Sequence, residues 1–170
     1  WGAFHRDYAD DDKALRRGKG FRCLAAAELY RLTGDARWHE AFVETIDLDG
    51  PDAWKRRETW EPAWAYCRTD RAGVDADLRL RCREALLAKA DDMLLWSSRT
   101  AYGWTKNNAW DPVVWGMLST PKRGWILAWA HQLTGDEKYL EGLIRLTQPG
   151  LGANPLNLCY TAGLGENPVR

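Results

Sequence analysis

Two stretches bring together side chains that can handle a flat, hydroxyl-rich ligand. The first is the tail Leu151 to Arg170, LGANPLNLCYTAGLGENPVR, which carries Asn154, Asn157, Tyr160, Glu166, Asn167 and Arg170. The second runs from Ser97 to Ser119 and places Tyr102, Trp104, Trp110 and Trp115 among Asn107, Asn108 and Asp111. An indole offers a large apolar face and one N–H donor, so it can stack on the axial C–H face of a sugar while amides and charged groups meet the hydroxyls. The chain has 11 tryptophans against 3 phenylalanines, an excess that points the same way. The plainer reading is that these aromatics pin a loop to a helical core, with the tail serving as its cap.

Other constellations carry less. Asp10, Asp11 and Asp12 precede Lys13, and acids at a helix start sit well against the positive end of its dipole. A metal or catalytic role is the rarer use of such a triplet. The four cysteines (Cys23, Cys67, Cys82, Cys159) match no zinc spacing, and a domain of this size needs no disulfide framework. Buried free thiols are expected, with the redox compartment left open. No metal ligand set and no cofactor motif is read from the sequence.

The elements that must position these loops are helices. Apolar residues recur at helical steps from Lys13 to Leu32, with Leu24, Ala25, Leu29 and Leu32 as the expected buried face. Thr33-Gly34 ends that helix, and Asp35 caps a second that runs to about Ile46 with Trp38, Phe42 and Ile46 on one side. Gly50-Pro51 breaks the chain before a third helix, Asp52 to Arg68, which Pro62 is expected to kink or divide. A fourth spans Asp75 to about Trp96, with Leu78, Cys82, Ala85, Leu86, Met93 and Leu94 as core candidates. After the loop, Thr120-Pro121 opens a fifth that reaches Leu133, and Gly135-Asp136 separates it from a sixth, Glu137 to about Thr147.

Beyond Thr147 the helix cannot continue, because Gly150, Gly152, Gly163 and Gly165 alternate with Pro155 and Pro168. The apolar content of Leu151, Leu156, Leu158, Tyr160 and Leu164 predicts a packed loop rather than a disordered one.

Leu32-Thr33-Gly34-Asp35-Ala36-Arg37-Trp38 recurs as Leu133-Thr134-Gly135-Asp136-Glu137-Lys138-Tyr139, so two helical hairpins share one turn sequence. Hairpins stacked with their tight turns at one end gather their long loops at the other, where a site can form. The fold class read from this is all-α, an α/α toroid or part of one; a helical bundle or short solenoid is the alternative.

Composition excludes several functions. With 24 basic and 24 acidic residues the formal charge is zero, which argues against a general nucleic-acid or anionic-membrane binder. No apolar run approaches the roughly 20 residues that span a bilayer, and no signal-peptide pattern lies in these 170 residues. The chain begins at Trp1 and stops mid-loop at Arg170, so it reads as a processed or partial product in need of further chain.

The tail LGANPLNLCYTAGLGENPVR resembles the signature of glycoside hydrolase family 9, approximately LGxNPLGxSYVTGxGxNxPxxPHHR. Tyr102-Gly103-Trp104 and the helix through Leu140 look like that family's Trp-Gly-Ser-Asn segment and the helix after it, and Ala27 to Asp35 is similar to an earlier helix. The resemblance implies residues 1–170 to be a single segment of a catalytic domain, about half of an (α/α)6 barrel. It implies an inverting hydrolase of β-linked glucan or a related polysaccharide, extracellular or periplasmic, whose partners are that substrate and the remainder of the same domain.

The chain departs from the family where the chemistry lies. Inverting hydrolysis needs a protonated carboxyl and a carboxylate roughly 6.5–9.5 Å apart. The family's base lies in an Asp-x-Gly-Asp motif and its acid Glu beyond the signature, and neither motif occurs here: Asp10–Asp12 lacks the glycine, and Glu166 sits inside the signature. Lys106-Asn107-Asn108 also stands where Gly-Ser-Asn is usual. No catalytic residue is therefore assigned. The expected contribution is binding: stacking from Trp104 and Trp110, and polar contacts from Asn107, Tyr160, Glu166 and Arg170. Against this, Glu166 and Arg170 can simply pair with each other, and Tyr160 can be core. Two other classes stay open, a non-catalytic carbohydrate-binding helical domain and a helical scaffold whose aromatic loops hold another protein.

Overall fold

The computed structural model describes residues 12–50, 57–103 and 120–165. These form six α-helices: α1 (Asp12–Thr33), α2 (Ala36–Thr45), α3 (Arg57–Cys67), α4 (Ala76–Ser98), α5 (Thr120–Thr134) and α6 (Glu137–Thr147). A 3-10 turn, Gln148–Leu151, follows α6. No strand occurs among the described residues. They fall into two compact units, one ending at Leu86 and the other starting at Leu87.

The repeated turn sequence folds twice into the same structure. In the first copy Thr33 Oγ1 donates to the Leu29 carbonyl (2.7 Å) and accepts from the Asp35 amide (3.2 Å). The Asp35 carboxylate then accepts from the Arg37 amide (3.1 Å) and caps α2. In the second copy the corresponding distances are 2.8 Å (Thr134 to Ala130), 3.1 Å (Asp136 amide to Thr134) and 3.0 Å (Lys138 amide to Asp136). Gly34 and Gly135 turn the chain at φ of 72° and 71°, a conformation that side chains with a Cβ adopt only with strain. Even the next pair repeats, Arg37 over the Trp38 ring at 4.8 Å and Lys138 over the Tyr139 ring at 4.6 Å. Backbone geometry in the turn is thus set by three local residues, Thr, Gly and Asp.

In the first unit α1 packs against α2 and α3. The stripe that α1 buries is Cys23, Ala26, Ala27 and Tyr30, not the expected Leu24, Ala25, Leu29 and Leu32. Leu32 is 62% exposed. Both sets have helical spacing, and small residues let neighbouring helices approach more closely than leucines do, so packing selects the small-residue face. Tyr66 lies fully buried against Phe42, ring centroids 4.4 Å apart. Its hydroxyl accepts from the Asp75 amide (3.0 Å) and is hydrogen-bonded to His39 Nε2 at 2.8 Å. Burial pushes the Tyr66 phenol up to about 12. Arg71 donates to the carbonyls of Arg31 (3.0 Å) and Leu32 (2.6 Å), satisfying the C-terminal end of α1. That places the α3–α4 turn at the same end as the Thr-Gly-Asp turn.

Pro62 is buried inside α3 and does not divide it. The residues 51–56, where the third helix was expected to begin, lie outside the described residues, as does the Asp10–Asp11 part of the acidic triplet. Along α4, Leu78, Cys82, Leu86 and Met93 are buried as expected, while Ala85 and Leu94 are half-buried. All four cysteines are free thiols. Burial raises Cys23 to about 11 and Cys67 to about 12, and moves Cys82 in the same direction.

In the second unit α5 and α6 pack along their length. Gly124 lets them approach, since a Cβ there would stand 2.8 Å from a Leu143 methyl, and Gly142 makes room on α6 for Leu94 of α4, which a Cβ would strike. Tyr139 donates to Asp91 (3.0 Å), which also pairs with Lys138 at 3.0 Å and ties α6 to α4.

Candidate functional site

Asn154 organises the tail. Its side-chain amide donates to the carbonyls of Pro149 and Leu158, both at 2.7 Å. Its Oδ1 accepts from the amides of Leu156 (3.1 Å) and Leu158 (3.4 Å). Only 9% of the residue is exposed, so it is a brace within the loop and not the ligand-facing amide expected from the sequence. An Asn side chain mimics a turn of backbone in this way, with both of its ends used at once. Asn157 follows in the left-handed region at φ 50°, and the Tyr160 amide closes the loop on the Gly150 carbonyl at 2.9 Å.

Apolar packing contributes less to this shape than the sequence implied. Leu151, Leu156 and Leu164 are 60%, 65% and 53% exposed, and only Leu158 and Tyr160 among the expected apolar set are half-buried. Hydrogen bonds to one buried amide hold the bend that apolar burial was expected to hold.

Next to the start of this tail lies a cleft of about 360 Å³, formed by the end of α4, the turn after it, the last turn of α6 and the 3-10 turn. Ser97, Ser98, Tyr102, Arg145, Gln148 and Ala153 line it. The cleft sits at the end of α5 and α6 opposite their Thr-Gly-Asp turn, as the hairpin pattern predicted for the long loops. Ser97, 2% exposed, donates to the Gly103 carbonyl at 2.8 Å and anchors the turn.

Of the six residues expected to bind substrate, Tyr160 alone is described; it is half-buried and does not line this cleft. Trp104, Asn107, Trp110, Glu166 and Arg170 lie outside the described residues. Tyr102, one of the loop aromatics singled out in the sequence, does line the cleft, whereas sequence reasoning passed over Arg145 and Gln148, which read as the end of an amphipathic helix. Their one signal was position, since both ends of the cleft adjoin the two loops that had been singled out. Among the described residues no carboxylate lines the cleft and no group of three or more metal-ligating side chains occurs.

Comparison with known proteins gives a consistent picture. The chain is 26% identical over 156 residues to Endoglucanase D of Acetivibrio thermocellus, covering 86% of this chain and 24% of that protein. Its fold matches a metagenome-derived glycoside hydrolase family 9 endoglucanase with a TM-score of 0.72 and 25% identity, over 94% of this chain and 28% of that one. The GH family 9 endoglucanase J30 gives a TM-score of 0.72 and 26% identity, over 88% and 28% of the two chains. No protein-family model matches. The chain spans about a quarter of the length of these relatives. The all-α class expected from the hairpins, part of an (α/α)6 barrel, is that of these structures. In sequence and in fold alike, the chain is similar to a part of glycoside hydrolase family 9, the resemblance that its glycine-punctuated tail carries.

Proposed function

We propose that this chain supplies part of the substrate cleft of a polysaccharide-degrading glycoside hydrolase acting on a β-linked glucan or related glycan. The observation that carries this reading is the Asn154-braced tail beside an open polar cleft, in a chain whose relatives are endoglucanases. The residues that meet substrate are Trp104, Asn107, Trp110, Tyr160, Glu166 and Arg170, with the bond-breaking carboxylates supplied by the remainder of the domain. The protein works outside the cytoplasm, where polymeric glycans are found.

A second reading, a non-catalytic carbohydrate-binding helical domain, is favoured by one feature: the described lining of the cleft holds no carboxylic acid. Two measurements separate the readings. Titration of the indole fluorescence with cello-oligosaccharides should shift the emission in either case. Reducing-sugar release from a β-glucan panel should be absent for these 170 residues and appear when the longer gene product is assayed. A longer product that binds but never cleaves supports the second reading, and silence in both assays removes both.

A further inference from the structure

Among the described residues that line the cleft one is charged, and it is a cation. Arg145, in the last turn of α6, is exposed and makes no ion pair or hydrogen bond among the described residues. Its position is built. Gly103 has φ +69°, and a Cβ there would stand 2.5 Å from Arg145 Cγ and 2.8 Å from Cδ, so only glycine lets the arginine stem lie against the backbone of this turn. The turn itself is locked by buried Ser97 donating to the Gly103 carbonyl and by the Gly103 amide donating to Thr100 at 3.2 Å. Tyr102, 38% exposed, offers an aromatic ring in the same cleft, and Gln148 adds an amide that both donates and accepts.

A guanidinium is permanently charged and presents parallel N–H donors that match a carboxylate in two-point contact. The hydroxyls of a neutral glycan can accept from a guanidinium singly, but a carboxylate matches both its paired donors and its charge, and no described residue of the cleft supplies one. A cleft of about 360 Å³ has room for one or two sugar rings.

We propose that this cleft is a subsite for an acidic sugar, a hexuronate whose carboxylate pairs with Arg145 while its ring rests on Tyr102. The inference rests on the glycan-binding reading above and narrows its substrate class to chains that carry uronic acid.

The test is calorimetric titration of the 170-residue chain with cellobiouronic acid, with the methyl ester of the same disaccharide, with cellohexaose and with acetate. The acid should bind at least about tenfold more tightly than its ester at low salt, the scale of one charge-assisted two-point contact. Arg145→Gln should abolish that difference, and Arg145→Lys should retain only part of it. Melting curves followed by circular dichroism confirm that the variants fold. Equal binding of acid and ester, or a preference that survives Arg145→Gln, overturns the inference. If cellohexaose still binds in that case, the glycan reading stands without it. If the acid binds through Arg145 but cellohexaose does not, the subsite survives and the polysaccharide reading falls. Acetate binding as tightly as cellobiouronic acid refutes the sugar component.

Discussion

Asn154 is a single side chain with four partners, and its loss should be felt well beyond its own volume. Asn154→Ala leaves two carbonyls and two amides without their side-chain partner. Unsatisfied backbone groups cost about 1–3 kcal/mol each when buried, but this loop borders water, so about 2–3 kcal/mol in all is expected. Asn154→Asp keeps the acceptor and loses both donors, and should fall between alanine and the parent. Urea midpoints give the energy, and limited proteolysis reports on the tail; an Asn154→Ala tail as resistant as the parent's means other forces hold the bend. Gly103→Ala combines a positive φ with a clash against Arg145, for an expected loss of about 1–3 kcal/mol. Adding Arg145→Ala should relieve the clash and leave the backbone strain, so the double variant should recover part of the stability and no more.

The hairpin is the element repeated in this chain, and its turn is specified by three residues acting locally. Asp35→Ala and Asp136→Ala each remove a helix cap and should each destabilise by about 1 kcal/mol. The two caps lie in different units and share no partner, so the double variant should lose the sum. Marked non-additivity in denaturant titrations would show that the turns are coupled. Gly135→Ala isolates backbone strain, because nothing stands within 4 Å of an added Cβ. Its expected cost is about 1–2 kcal/mol, the penalty of the left-handed region for an L-residue. The helices between the turns obey a different rule. In α1 the leucines and the Cys23–Ala26–Ala27–Tyr30 stripe have equally good periodicity, and the neighbours' need for close approach decides between them.

At the scale of the whole molecule, stability should be sensitive to alkali. Burial raises Cys23 and Cys67 from 9.0 to about 11 and 12, and Tyr66 from 10.0 to about 12. The folded chain therefore keeps protons that the unfolded chain releases first. Their stabilising contribution is complete below about pH 9 and declines as pH rises toward about 12. All three groups, and Cys82 with them, belong to the unit that ends at Leu86. Urea midpoints in reducing buffer should thus be lower at pH 10.5 than at pH 7.5, and equal midpoints would mean that these groups ionise freely in the folded chain. What the sequence determined by itself was everything local: six helices, the Thr-Gly-Asp turns that pair them, a tail that cannot be helical, and free thiols. These depend on residues within a few positions of one another, and so did the motif that carries the family resemblance. Only the tertiary structure decided which stripe of α1 is buried, that Asn154 faces inward, and that the stem of Arg145 lies against Gly103 at the edge of a cleft. The buried stripe and the Arg145–Gly103 contact depend on how closely segments far apart in the chain can approach, which no local pattern of residues contains, while the four partners of Asn154 lie within five residues of it but are reached only once the loop has bent.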